Sequence, residues 1–341
     1  MAFSLDVVLP TFNRAALLAK ALDSLAAASI PEGLHVTVYV VDNNSTDRTA
    51  EVVKEYQDRL PVPLRYIRET IQGSSSALNA GIRAGTGDIV AMINDDEEID
   101  FHWFNVIEEF AKSSFDFAGG PYRPNWEVEK PDWISKESSG IVGWVDAGDT
   151  RQEYGPNFAG MLMGGNALIR RRVLDQIGPY EVSLGRTGKG LMSCEDELMY
   201  RRLIAAGFRG IYLPELVVYH FIPAERLTRR YHRRWCWGLG NSLAVLAGLE
   251  NKPEAHTVLG IPRWRFRYAI VGLLSVLAGL FHLKSPQAAF QGELRLWTLA
   301  GLINGHLFHR PRSIAGSRSA SDPEPGETIS PPTAHASRES P

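Results

Sequence analysis

The chain has 341 residues, enough for one large core or two smaller ones, and its 44% hydrophobic and 22% charged residues belong to a folded body. A formal net charge of −3 argues against a general nucleic-acid binder, so no nucleic-acid partner is expected. Two cysteines, Cys194 and Cys236, are too few for a disulfide framework, and Met1 to Asp6 lack the basic region and apolar run of a signal peptide. A reducing, cytosolic setting is the expectation.

Leu5–Leu9 forms a first apolar strand that stops at Pro10. From Arg14 to Ala28, Leu17, Leu18, Ala21, Leu22 and Leu25 recur at helical spacing. Val36–Val41 is a second strand, closed by Asp42-Asn43-Asn44-Ser45, and Thr46 or Asp47 can cap a helix running to Tyr56. Leu64–Ile67, a helix at Ser75–Ala84 and a strand at Ile89–Ile93 continue the alternation. Strands separated by helices predict βαβ units, right-handed crossovers and an α/β fold with a mostly parallel sheet flanked by helices.

After a helix at Phe101–Ala111 and an extended Phe115–Gly119, the pattern loosens into a Gly- and Pro-rich stretch holding Trp126, Trp133 and Trp144. Those rings suit stacking on the C–H face of a ring-shaped ligand such as a sugar; the plain alternative is that they fill a loop-rich core. Regularity returns with a strand at Asn166–Ile169, helices at Arg172–Ile177 and Glu195–Ala206, and strands at Gly210–Leu213 and Val217–Phe221. Beyond Pro223 a basic helix carries Arg226, Arg229, Arg230, Arg233 and Arg234 among Tyr231, Trp235 and Trp237. Tyr268–Leu283 is apolar but short of the roughly 20 residues a spanning helix needs. Its small-residue edge, Gly272, Ser275 and Gly279, suits docking of a second helix over Leu294–Phe308. The division expected is therefore 1–222 catalytic, 223–310 a basic helix plus an apolar helical hairpin on a membrane surface, and 311–341 a disordered tail.

Acidic and polar residues cluster where strands end, and in an open α/β sheet those ends converge on one crevice. Pro10-Thr11-Phe12-Asn13-Arg14 turns the first strand into the first helix, whose free N–H groups favour an anionic or polar ligand. Asp42, on the next rim, can accept hydrogen bonds from a base or a ribose. Asn94 and Asp96 alternate on the same side of an extended chain and offer oxygen donors to Mg²⁺ or Mn²⁺. Glu195-Asp196-Glu197 opens a helix, where carboxylates suit the dipole; one of them can also deprotonate a sugar hydroxyl. His220 can ligate the metal or a phosphate. Each segment has a plain alternative as a helix cap, an acidic turn or a structural histidine. No G-x-G-x-x-G follows the first strand, and Gly185 to Gly190 lacks the spacing of a phosphate loop.

Taken in order, Val8-Leu-Pro-Thr-Phe-Asn-Arg14, Val41-Asp-Asn-Asn-Ser-Thr-Asp47, Ser76-Ala-Leu-Asn-Ala-Gly-Ile82, Ile93-Asn-Asp-Asp-Glu97, Gly164-Gly-Asn-Ala-Leu-Ile169 and Cys194-Glu-Asp-Glu-Leu198 resemble the family 2 glycosyltransferases over roughly residues 4–240. That resemblance implies a type-A nucleotide-diphospho-sugar transferase fold with a C-terminal helical extension. It implies that Thr11 and Asp42 hold the nucleotide, with Pro10, Asn13, Arg14, Asn44, Asn79 and Asp95 beside them. By the same resemblance Asp96, with Asn94 or Asp95, would carry Mn²⁺ or Mg²⁺, His220 would sit on that metal or the pyrophosphate, and Asp196 would be the base with Glu195 next to it. Gly165, Asn166, Arg226, Arg233 and Trp235 are expected on the acceptor or phosphates. Two departures stand out: Asn94 replaces the usual Asp, and no Arg or Lys flanks Gly73–Ala77. Arg233-Arg234-Trp235 is similar to the Arg-Trp element of processive synthases but lacks its Gln, so single transfers are expected. The partners implied are a nucleotide-diphospho-sugar, a lipid-linked or saccharide acceptor and the inner membrane surface, with the enzyme peripheral or monotopic there. A sugar nucleotidylyltransferase would need a basic triphosphate loop where only Arg14 stands, and a non-catalytic scaffold would not need Asp96, Asp196 and His220.

Overall fold

The structure, a computed structural model, describes residues 2–158, 160–188, 190–250, 256–258 and 260–308. The expected tail from 311 lies outside them. The N-terminal half alternates as the sequence predicts: β1 (Phe3–Thr11), α1 (Ala15–Ala27), β2 (Leu34–Asp42), α2 (Thr49–Tyr56), β3 (Leu64–Arg68), α3 (Ser74–Ala84) and β4 (Ile89–Ile93). Then follow β5 (Glu97–Ile99), α4 (Trp103–Lys112), β6 (Phe117–Gly119), β7 (Tyr122–Trp126), α5 (Ser139–Val142), β8 (Gln152–Glu153), β9 (Asn166–Arg170), α6 (Arg171–Ile177), α7 (Glu195–Ala205), β10 (Gly210–Tyr212) and β11 (Val218–Ile222).

Among the described residues the main sheet has eight strands in the order β3-β2-β1-β4-β9-β6-β10-β8. β3, β2, β1 and β4 are parallel, while β9 runs against both β4 and β6. β4 is buried at all five positions because helices and loops cover both faces, which is why its sequence is an unbroken apolar run. On one face α1 and α4 bury Leu18, Leu22, Trp103, Phe104 and Ile107, each burial contributing roughly 1.5–3 kcal/mol. On the other, α3 and α7 pack Ala77, Leu78, Met199 and Leu203.

A small second sheet, β5-β11-β7, stands beside the main one. The sequence reading has no counterpart for β5 and β7: it offers an acidic turn as the plain alternative for Asp95 to Glu98 and puts 122–126 at the start of the Gly- and Pro-rich stretch. Glu97 is instead 1% exposed, opposite His220 in the β5–β11 ladder. The tryptophans follow the plain alternative. Trp126, Trp133 and Trp144 pack on a cluster of Ile134, Val142, Ile222 and Leu227, and Trp133 also meets Phe290 edge-on.

Three long helices complete the described chain: α8 (Arg229–Glu250), α9 (Arg263–Leu280) and α10 (Pro286–Phe308). The small-residue edge of α9 does face α10; a Cβ added at Gly272 would stand 2.6 Å from Gly292 O. Gly301 of α10 sits so near α8 that a Cβ would overlap Trp237 O. Neither helix could approach its neighbour this closely with a larger residue at those points. Among the described residues no helix is long and apolar enough to cross a membrane. Both cysteines are buried and free.

Candidate active site

The ends of β1 and β4 meet first. Thr11 Oγ1 donates to Asp95 Oδ2 at 2.8 Å, and Arg14 Nη1 reaches Asp95 Oδ1 at 3.0 Å and Asp96 Oδ2 at 3.1 Å. Burial pushes Asp95 up to about 6 against the pull of Arg14. Burial opposes ionisation of Asp96 too, but His220, Arg226 and Arg14 outweigh it and hold this carboxyl well below the usual range. Glu97 accepts from the Asn94 backbone N–H at 2.7 Å and from Asn94 Nδ2 at 2.8 Å. Its burial, followed by the charge of Asp96, drives its carboxyl well above the ordinary value.

β11 brings His220 to the same place. The Phe221 N–H donates to Asp96 O at 2.8 Å, so Asp96 is fastened to this strand by its backbone. His220 Nε2 then lies 3.6 Å from Asp96 Oδ2. Arg226, on the short turn between β11 and α8 and only 5% exposed, donates to both: Nη1 to His220 Nε2 and Nη2 to Asp96 Oδ2, each at 2.9 Å. Gly143 covers the imidazole so closely that a Cβ there would overlap the ring.

α7 supplies the facing wall. Cys194 adopts φ 76° at its N-cap, an uncommon conformation for a non-glycine residue that turns the chain directly into Glu195-Asp196. Burial, then the neighbouring Glu195, raises Asp196 to about 8, while the Gly164 backbone N–H and Arg186 favour its ionised form. Burial likewise raises Glu195, which accepts from Ser74 Oγ at 3.2 Å. Two successive residues join this wall to the rim. A Cβ at Gly164 would overlap Asp196, and one at Gly165 would overlap Asn94 and Glu97.

Pro10, Thr11, Asn13, Arg14, Asn94, Asp95, Asp96, Gly165, Glu195, Asp196, His220, Arg226 and Trp235 thus line one cleft of about 590 Å³. The other expected residues are engaged elsewhere. Asn166 is fully buried, its amide spent on Trp103 Nε1 at 3.0 Å and Leu216 O at 2.6 Å, so an acceptor contact there is corrected to a core role. Asn79 is corrected likewise: it exchanges two hydrogen bonds of 2.8 Å with the Tyr180 backbone. Arg233 pairs with Glu293 Oε1 at 2.6 Å, away from the cleft. Asp42 accepts from Ser45 N and Tyr66 Oη at 2.7 Å each, and Asn44 accepts from Arg68 at 3.0 Å; both sit outside the lining.

Sequence reasoning misses Arg186. It lines the cleft on the loop set aside as a failed phosphate motif, and that loop is tied to the start of α3 by Ser74 N donating to Arg186 O at 2.9 Å. The cation absent from Gly73–Ala77 therefore comes from more than a hundred residues away. The signal available was an Arg between Gly185 and Gly188 just ahead of the acidic helix; in the structure both glycines take positive φ.

A carboxylate oxygen and an imidazole nitrogen that already share one cation suit Mn²⁺ in donor type better than Mg²⁺, which favours oxygen alone, and the guanidinium of Arg226 is the stand-in. Asn94 gives its amide nitrogen to Glu97, which leaves Oδ1 as the remaining donor. Among the described residues no three or more His, Cys, Asp or Glu side chains gather as a metal cluster. A divalent ion here would therefore meet one carboxylate, one imidazole and one amide oxygen, not a closed cage.

A mostly parallel sheet whose strand ends carry a buried carboxylate pair, faced by an acidic helix, has the type-A fold of nucleotide-diphospho-sugar transferases. The profile of "Glycosyl transferase family 2" matches residues 6–178, and the chain belongs to that family; it is a glycosyltransferase. It is 27% identical over 228 residues to the succinoglycan biosynthesis protein ExoM of Rhizobium meliloti (strain 1021), covering 66% of this chain and 69% of that protein. It is 28% identical over 192 residues to the glucosyl-dolichyl phosphate glucuronosyltransferase of Haloferax volcanii, covering 54% of this chain and 58% of that one. Among solved structures, a mannosyltransferase from Pyrobaculum calidifontis in complex with GDP-Man and Mn²⁺ superposes with a TM-score of 0.61 at 19% identity, over 91% of this chain and 89% of the other. The last likeness speaks for the fold.

Proposed function

We propose that the chain moves a sugar from a nucleotide-diphospho-sugar to a lipid-linked or saccharide acceptor, inverting the anomeric carbon, at the cytoplasmic membrane face in cell-surface polysaccharide or glycolipid synthesis. The reading rests on one observation. Gly164 touches Asp196 while Gly165 touches Asn94 and Glu97, so the acidic start of α7 and the acidic end of β4 share a single cleft, which is what a base facing a diphosphate needs.

A sugar hydroxyl is a poor nucleophile at neutral pH, and Asp196 takes its proton as it attacks. The attack comes from the face opposite the diphosphate; the anomeric C–O bond breaks and its electron pair leaves on the diphosphate oxygen. Arg14, Arg186 and Arg226 offset the charge that collects there. Asp96, His220 and Asn94 would hold Mn²⁺ or Mg²⁺, which when bound offsets the same charge. Thr11 and Asn13 border the nucleotide, with Asp42 behind them.

Residues 1–222 form the donor-binding part in this reading, and 223–310 face the membrane. Support comes from α9, where Ile270, Leu274 and Leu277 are exposed beside the cationic Arg263 and Arg267. Such a face suits an anionic interface, each basic residue contributing about 1 kcal/mol. The dolichyl phosphate in the name of the Haloferax relative supports a lipid-linked acceptor. The test is a panel of nucleotide-sugars assayed for slow hydrolysis to water, with and without Mn²⁺. Asp196→Ala should abolish transfer and keep donor binding; unchanged turnover removes Asp196 as the base, and no binding of any nucleoside diphosphate leaves a scaffold.

A further inference from the structure

A second cavity, of about 660 Å³, lies between α8, α9 and α10 and shares Gly140, Ile141, Trp235 and Leu239 with the cleft. Its size is in the roughly 300–1,000 Å³ range of cavities that enclose most of a small ligand. Its far wall carries Arg265, Arg295 and Tyr268, and no acidic side chain lines it among the described residues. Gln291 lines it too, and its buried Nε2 has no hydrogen-bond partner. Gln291 and Arg295 are four residues apart on α10 and so share a face. The Arg295 guanidinium rests over the Tyr268 ring, 4.1 Å from its centroid, and no carboxylate pairs with it among the described residues. Tyr268 is 49% exposed, so the cavity reaches the surface there. Trp264 and Val271, one turn to either side of it, are about half exposed as well, at 51% and 49%.

The arrangement runs from the base, past an aromatic wall, to an orphan donor and a cation, and out onto an apolar helix face. We propose that this cavity binds the phosphate-bearing part of an amphiphilic acceptor. The phosphate sits against Gln291 Nε2 and Arg295, the tail runs out along α9 by Trp264 and Val271, and the sugar to be extended passes Trp235 toward Asp196. This rests on the transferase reading and adds to it the acceptor class and its seat. An unpaired guanidinium and an unsatisfied amide donor have the same unmet need, an anion's oxygens. The apolar exit excludes a purely soluble saccharide as the best-fitting occupant.

The probe is farnesyl phosphate titrated into the full chain by calorimetry, with farnesol and inorganic phosphate as separate arms. Farnesyl phosphate should bind at least about tenfold more tightly than either, since both ends contribute. Arg295→Ala should weaken it about ten- to a hundredfold, Gln291→Leu less, and Ala288→Trp, which fills the cavity from its lining, should remove binding. All three variants should keep the wild-type rate of donor hydrolysis to water, which also reports that they fold. Equal binding of inorganic phosphate or farnesol, or undiminished binding to Ala288→Trp, overturns the proposal. Loss of donor hydrolysis in the wild type, with farnesyl phosphate binding intact, instead strikes the transferase reading and spares the cavity.

Discussion

Arg226 and Asp96 meet at 2.9 Å, in the position a divalent ion would share with His220. The same guanidinium cannot serve a diphosphate and remain there. Arg226→Gln should therefore bind Mn²⁺ more tightly than wild type in the donor-free state, by about tenfold for the loss of one competing charge-assisted pair. Its donor KM should rise by a similar factor. Titrating free Mn²⁺ by electron paramagnetic resonance checks the first; identical Mn²⁺ affinities would mean that Arg226 does not compete for the position.

On the proposed mechanism Asp196 must lose its proton to act, and its site raises it to about 8 from an ordinary 3.8. Turnover should climb with pH toward about 8 rather than levelling off near 5. Folding carries the opposite sign. The folded protein holds a proton that the unfolded chain has released above about 4, so this contribution to stability is full below 3.8 and is lost as pH rises through about 8. Asp196→Asn should consequently melt higher than wild type at about pH 8.5, by a margin that shrinks at about pH 5. A margin independent of pH contradicts the assignment.

Arg186 helps Asp196 and Glu195 ionise. Arg186→Ala should move the rising limb of the pH–rate profile upward, and Arg186→Lys should restore most of the shift. A variant that lowers turnover equally at every pH would confine Arg186 to holding the donor.

Gly164→Ala would press a methyl group into the Asp196 carboxylate. The side-chain end can move, so the fold should survive while the base is displaced by about 1 Å, enough to cost about a hundredfold in kcat. Donor affinity, measured by calorimetry with a nucleoside diphosphate, should stay within about threefold, on the scale of a small side-chain adjustment.

The sheet was legible where one principle dominated. Ile89–Ile93 reads as a strand because burial on both faces leaves no polar position, and its polar end identified Asp95 and Asp96; Val36–Val41 reads as one because Val36, Val38, Val40 and Val41 are buried while Thr37 and Tyr39 stay half-buried. β5 and β7 are short and flank an acidic turn and a Pro-rich stretch, so local pattern could not find them. Asn79 and Asn166 sit in recognisable motifs, but the groups that consume their amides, Tyr180 and Leu216, become neighbours only through tertiary packing. Arg226 was visible as one basic residue among five; its contact with Asp96, across 130 positions, was not.

The backbone seating of Gly301 against Trp237 matters for anyone trimming this enzyme. The segment matched by the family profile ends at 178, yet Asp196, His220 and the buried Arg226 all follow it. α8 begins just after Arg226 and carries Trp235 and Leu239 into the cleft wall, and α10 is keyed to α8 with no room for a side chain between them. Excising the last helices would strip a support from the reaction chamber, so the minimal active fragment should extend through α10 and not stop at the end of the nucleotide-binding sheet.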